Sequence, residues 1–344
     1  MCGALDSDKK GKIQMKKSKK IIISIFAGLL VLILAICTVA SNFLINYGLA
    51  RSGTGANRNI KNTEKSQMSE TQLLAYKTRD IEKEKAQEFL EKVKENQAQI
   101  LSEDGLKLNG FYFLQPKTED FHNWVIAIHG YRSSHKENYD TARNYYEKGF
   151  NVLLPDLRTC GSSEGDYVGM GWLDRKDILK WIDWIIEKDD RSQIVIQGVS
   201  MGAATTMMVS GEQTPDNVKA FVEDCGYTSV WDIFSSELKL RFHLPDFPIL
   251  YAASFFTKIR AGYTFGEGSA LEQVKKCTKP MIFIHGTTDD FVPFYMQKIL
   301  YDAKPGDNKL LLIAANAGHT QSKYVLGEVY WNTIFDFLSN YIEM

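Results

Sequence analysis

The sequence predicts an α/β fold, a mostly parallel sheet with helices on both faces, preceded by one long apolar helix. Three observations predict it. Short, continuously apolar runs recur from about Gln97 to the C-terminus, separated by segments whose apolar residues have helical spacing. One of these runs, Ile194 to Gln197, leads into Gly198-Val-Ser-Met-Gly202 and then into small, unbranched residues suited to a helix. Finally, residues 21–50 contain no charged residue and directly follow a lysine-rich stretch.

Taken in order, residues 1–20 form a basic tail with Lys9, Lys10, Lys12, Lys16, Lys17, Lys19 and Lys20. Residues 21–45 are long enough, at about 37 Å as a helix, to cross a hydrocarbon layer of roughly 30 Å. This core exceeds the apolar region of roughly 7–15 residues in a cleavable signal. Thr38-Val-Ala40 is a poor cleavage site, and Leu34-Ala-Ile-Cys37 lacks the small residue a lipoprotein site needs before its cysteine. The segment therefore reads as a single-pass signal anchor. Lysines before it, with only Arg51 and Arg58 soon after, put the N-terminus in the cytoplasm and the rest of the chain on the outer side of the cell membrane.

Residues 46–96 read as a tether and a connecting helix. Ser52 to Ser66 is polar and contains glycine. Ser69-Glu-Thr-Gln72 has the form of a capping box, and Ala86, Phe89, Leu90 and Val93 follow at helical spacing among alternating Lys and Glu. That balance of charge suits a solvated helix lying on the domain better than a coiled coil.

Residues 97–344 read as one domain. Leu106 to Leu114 alternates as an early antiparallel edge strand would. The runs Trp124 to Ile128, Val152 to Leu154, Ile194 to Ile196, Ala220 to Val222, Met281 to Ile284 and Leu310 to Ile313 suit the buried centre of a parallel sheet. Apolar stripes Ile178, Leu179, Trp181, Ile182, Ile185, Ile186 and Trp331, Ile334, Phe335, Leu338 mark two covering helices.

A serine between glycines at a strand-to-helix turn is held out on the tip of a strained backbone. The helix that follows turns its free N–H groups and positive dipole end toward the same place, which suits a developing oxyanion. Downstream, Pro280 to Pro293 is an apolar strand opening into a turn with Asp289 and Asp290, and Leu310 to His319 is another strand ending on a histidine.

At these residues the chain resembles the α/β-hydrolase superfamily, in which nucleophile, acid and base follow in that order at strand ends. The resemblance implies an eight-stranded sheet, Ser200 as nucleophile, His319 as base, and Asp289 as acid by the spacing His285-Gly-x-x-Asp-x-x-Val-Pro293. Asp224, at another strand end, is the competing acid. His129-Gly-Tyr-Arg-Ser-Ser134 is similar to the family's oxyanion loop, which implies the backbone N–H groups of Tyr131 and Met201 as donors. His129 and His285 read as structural. Asp156 and Arg158, in Pro155 to Gly165, are expected to form a network at the mouth of the site.

The resemblance also makes the aromatic segment at about 227–265 a small helical cap, with Phe255 and Phe256 expected in an acyl pocket.

A net charge of −1 with average apolar content excludes a nucleic-acid binder. The six histidines include no His-Glu-x-x-His and the five cysteines no Cys-x-x-Cys, so no metal, cofactor or disulfide framework is implied. The expected function is a membrane-anchored serine hydrolase, acting on a small-molecule ester or acyl substrate, lipid-like ones included. Peptidase, acyltransferase and thioesterase chemistry use the same triad, and a non-catalytic tethered interaction protein is the reading from another class. Serine at 200 argues against dehalogenases and epoxide hydrolases, which use an aspartate nucleophile. The oligomeric state is not legible.

Overall fold

The computed structural model describes residues 4–53, 69–116 and 122–343. Most of the tether expected over Ser52 to Ser66 lies outside the described residues, as do the side chains of the basic tail before Lys19. Eight strands form one sheet: β1 Asn96–Leu101, β2 Lys107–Phe113, β3 Asn123–Ile128, β4 Asn151–Pro155, β5 Gln193–Val199, β6 Val218–Asp224, β7 Met281–Gly286 and β8 Lys309–Ala314. Their order is β1-β2-β4-β3-β5-β6-β7-β8; β2 runs antiparallel to both of its neighbours, β1 and β4, and all other pairs are parallel.

The continuous apolar runs have a plain cause. In β3, Trp124, Ile126 and Ile128 enter one buried cluster while Val125 and Ala127 enter another, so both faces of the strand are covered. Helix α4, Asp174–Lys188, packs Ile178, Trp181, Ile182 and Ile185 into the first cluster, and α11, Glu328–Leu338, packs Ile334, Phe335 and Leu338 into the second.

The other helices are α1 Ala4–Gly48, α2 Glu70–Lys92, α3 Tyr139–Tyr146, α5 Met201–Ser210, α6 Val230–Phe242, α7 Ile249–Ala261, α8 Ala270–Val274, α9 Tyr295–Ala303 and α10 Ser322–Leu326.

The edge of the sheet differs from expectation. The strand expected at Leu106 to Leu114 is β2, which lies between β1 and β4; the edge is β1. Asn96-Gln-Ala-Gln-Ile-Leu101 is too polar to announce a strand, and pairing along its whole length with β2 is what extends it. Helix α2 opens on the capping box, with Gln72 N–H donating to Ser69 Oγ at 3.2 Å and Ser69 N–H donating to Gln72 Oε1 at 3.0 Å. Its buried Ala86 and Phe89 face the domain, and it packs on α3 and α10.

Residues just past 45, expected to begin a tether, are docked instead. Helix α1 continues to Gly48, and Cys37, Ser41, Ile45 and Leu49, each four residues from the last, are buried. Val168 N–H donates to the Leu49 carbonyl at 2.8 Å, Arg51 N–H to the Asp166 carbonyl at 2.8 Å, and Ala50 forms an antiparallel bridge with Tyr167. A buried stripe on a helix whose other faces are largely apolar as well is invisible to periodicity, so the contact could not be read in advance.

Candidate active site

Strand β5 passes into α5 at Ser200, whose φ of 58° and ψ of −118° are unusual for a residue with a side chain. Glycine is needed on both sides. A Cβ on Gly198 would lie 2.1 Å from the Gly202 carbonyl oxygen, and one on Gly202 would lie 2.2 Å from the Ile128 carbonyl oxygen. The Ser200 N–H donates to the Asp224 carbonyl at 2.9 Å, tying the turn to β6.

His319, on the loop after β8, brings Nε2 to 2.8 Å from Ser200 Oγ, and its Nδ1 lies 2.8 Å from Asp289 Oδ2 on the loop after β7. Asp289 Oδ1 accepts the N–H groups of Phe291 and Val292, each at 2.9 Å. Burial is the largest single influence on Asp289 and raises its pKa. The charge on His319 and hydrogen bonds from His285 and His319 outweigh it and hold the carboxyl well below the usual range. Asp224 is elsewhere engaged: it accepts from Ser322 Oγ at 2.9 Å and Tyr330 Oη at 3.1 Å.

His285 has a part that the sequence reading missed. Its Nε2 lies 3.2 Å from Asp289 Oδ2 and 3.0 Å from the Val292 carbonyl, so it braces the carboxylate from behind. Burial opposes its protonation, but Asp289 and Glu223 push its pKa up to about 9. The signal was its place four residues before Asp289 at the end of β7. His129 is accounted for on both ring nitrogens, with Nδ1 2.7 Å from the Gly130 carbonyl and Nε2 accepting the Leu157 N–H at 3.1 Å.

Glu223, buried on β6, has its carboxyl pushed up by burial to about 8, from an ordinary value of 4.5. Between those values the folded chain keeps a proton that the unfolded chain has released, so stability falls as pH rises. Glu223→Gln is neutral at every pH and removes this slope. Thermal melts should show its Tm falling less than that of wild type from about pH 5 to about pH 8; parallel curves would refute the assignment.

The loop after β3 brings Gly130 against Ser200, where a Cβ would stand 3.5 Å from Ser200 Cβ. Next to it, the Tyr131 hydroxyl donates to the Gly48 carbonyl at the end of α1. Arg132, at φ 54°, donates from Nε to Tyr131 Oη at 2.8 Å and from Nη1 to the Arg51 carbonyl at 3.1 Å. The end of the apolar helix is thus clasped by this loop. Asp156 and Arg158 do not form one network. Asp156 takes His135 Nδ1 at 2.8 Å and the Ser162 N–H at 2.8 Å, whereas Arg158 forks onto Asp177 at 2.8 Å through Nε and Nη2.

A cavity of about 90 Å³ opens over Ser200 and Met201, well above the roughly 10–15 Å³ one water needs. Its walls come from α6 and α7 (Ile233, Phe234, Leu238, Phe242, Leu250) and from α1 (Leu44, Ile45, Gly48). Phe255 and Phe256 are not among them: Phe255 is exposed, and Phe256 packs against the core. Helix phase decides this, because α7 presents a different face to the cavity. As for metals, Cys225, Asp289 and His319 bring donor atoms within 4.8 Å of one another. Burial holds the Cys225 thiol well above its ordinary pKa, away from the thiolate that ligates, and Asp289 and His319 are already bonded to each other.

A family profile described as alpha/beta hydrolase fold matches residues 123–242. The uncharacterized protein YqkD of Bacillus subtilis is 31% identical over 254 residues, covering 74% of this chain and 82% of YqkD. Among solved structures, the Pyrococcus furiosus esterase Pf2001 superimposes with a TM-score of 0.57 at 23% identity, over 73% of this chain and 94% of the esterase. The Pyrococcus horikoshii acylaminoacyl peptidase does so with a TM-score of 0.57 at 18% identity, over 73% of this chain and 42% of the peptidase. These two likenesses concern the fold alone. With the profile match, the extended identity to YqkD and the eight-stranded sheet in agreement, the chain belongs to the α/β-hydrolase superfamily.

Proposed function

We propose that this chain is a serine hydrolase that cleaves carboxylic esters by way of an acyl-enzyme, anchored by α1 with its domain on the outer side of the cell membrane. The observation that carries the reading is the unbroken line from Ser200 Oγ through His319 to Asp289, at 2.8 Å on each side of the imidazole, at the floor of an apolar cavity.

Ser200 Oγ attacks the acyl carbon as His319 Nε2 takes its proton. Asp289 fixes the tautomer with hydrogen on Nδ1 and stabilises the imidazolium. The oxyanion is met by the backbone N–H groups of Tyr131 and Met201, the latter at the first position of α5. His319 then protonates the departing alcohol, and a water, activated by the same imidazole, releases the acid.

An ester with an apolar acyl part fits better than a peptide. The charged residues at the cavity, Glu237 and Arg241, pair with each other at 2.5 Å, and the remaining walls are largely apolar.

A fluorophosphonate probe should label the full chain in membranes, and Ser200→Ala should abolish the labelling. Along a series of p-nitrophenyl esters, kcat/KM should rise about fourfold per methylene over the first few carbons, as expected for burial of about 0.8 kcal/mol each. Leu238→Ala should flatten that rise and Phe255→Ala should not. No label on Ser200 would end the reading, and a flat wild-type series would turn it toward a small-ester or peptide substrate.

A further inference from the structure

The exposed face of α7 carries Phe247, Tyr251, Phe255 and Ile259, each four residues from the last, at 73%, 57%, 61% and 65% exposure. Phe247 lies just before the first turn, and the other three form one stripe along the helix. Leu240 and Leu244, at and just after the end of α6, are exposed as well. An apolar stripe of this kind on a soluble surface marks something that covers it.

The length of α1 says what covers it. Its side chains are largely exposed from Ile21 to Ile36, and burial against the domain starts at Cys37. That free stretch is about 24 Å long as a helix, short of a hydrocarbon layer of roughly 30 Å. Counted from Lys20, the far edge of the layer falls about four residues further on, near Ala40. At that level α1 is already packed, and α7 is the helix that packs along it. Arg260 of α7 reaches Asn42 and Asn46 of α1, each at 2.7 Å. On the side of α1 turned away from Cys37 and Ser41, Val39 remains exposed and apolar at 72%, as lipid contact at this depth requires. The cations of α7 are engaged inside the protein, Lys258 on Glu267 at 2.8 Å and Arg260 on Asn42, Asn46 and Tyr167, so the apolar stripe and not charge carries the contact.

We propose that the outer face of α7 is seated in the bilayer at the boundary between headgroups and hydrocarbon, so that the cavity over Ser200, walled by α1, α6 and α7, takes acyl chains directly from the membrane. This rests on the reading of α1 as a membrane anchor. The occupant is lipid, because the shortfall in free helix has to be made up by whatever domain surface surrounds Cys37 to Ser41.

The test uses the full chain carrying Cys2→Ser, reconstituted in phosphatidylcholine and phosphatidylglycerol nanodiscs, with a nitroxide attached at Phe255→Cys, Val31→Cys or Asp190→Cys in turn. The four remaining cysteines are buried. The label at 255 should be relaxed more by oxygen than by a water-soluble nickel chelate, as at 31, and the label at 190 should show the reverse. If 31 reports lipid and 255 reports water, the proposal fails while the anchor stands. Water at 31 would remove the anchor and the proposal together. Shielding of 255 from both relaxants would identify a protein partner and overturn the lipid assignment.

A second readout guards against a purely structural effect. Replacing Phe247, Tyr251, Phe255 and Ile259 together by Ser should lower turnover of a long-chain ester embedded in vesicles by about tenfold or more. Hydrolysis of dissolved p-nitrophenyl acetate should stay at the wild-type rate, and equal losses on both substrates would overturn the proposal.

Discussion

Asp289→Asn is expected to lower kcat by about 10⁴-fold with little change in KM, the loss seen when a serine-protease triad loses its carboxylate. An amide at 289 offers an N–H or an uncharged oxygen to His319 Nδ1, so the imidazole is either held in the wrong tautomer or left without charge stabilisation. The hydrogen bonds from Phe291 and Val292 to Asp289 Oδ1 can persist to an amide oxygen, so the loop should keep its shape. Asp290→Asn and Asp224→Asn are the controls. Asp224 supports Ser322 and Tyr330, so its loss should appear in stability more than in kcat. Steady-state kinetics on p-nitrophenyl butyrate, with circular dichroism to confirm folding, decide the matter. A larger kcat loss for Asp224→Asn or Asp290→Asn would overturn the assignment of the acid.

Gly202→Ala should cost both the fold and the activity. The new methyl group would stand 2.2 Å from the Ile128 carbonyl oxygen and 2.7 Å from that of His129, both backbone atoms at the end of β3. Neither can move without pushing β3 and the loop carrying Gly130 and Tyr131 away from Ser200. Overpacking of a tight interior costs up to about 3 kcal/mol and occasionally more, which for a domain of this size lowers Tm by about 6–12 °C. Gly266→Ala, where a methyl would meet nothing within 4 Å, should melt with the wild type. Equal melting temperatures for the two variants would contradict the packing described for this turn.

Much of the architecture was legible because its causes are local. A strand buried on both faces has to be apolar at every position, so the runs at Trp124, Ile194 and Met281 declared themselves. The capping box at Ser69 needs only four residues in a row. The turn at Ser200 needs glycine at 198 and 202 because backbone atoms crowd there, and glycine in that spacing is visible in any chain. Ser200, Asp289 and His319 could be singled out because each sits where a strand ends, and the structure brings all three into hydrogen-bond contact.

By itself, then, the sequence determined the α/β order of elements, the glycine turn and the apolar N-terminal helix, since each follows from periodicity or backbone sterics within a few residues. Tertiary structure alone decided the rest. Asn96–Leu101 is a strand only because β2 lies beside it. His285 became a brace for Asp289 through the shape of the loop between them. Phe255 points outward, while Leu238 and Leu250 line the cavity, because helix phase relative to the sheet comes from packing and not from composition. The end of α1 became a wall of that cavity through the stripe Cys37, Ser41, Ile45 and Leu49. A helix apolar on every side does not reveal which side is buried, and only its contact with α7 and the clasp of Tyr131 and Arg132 made that choice.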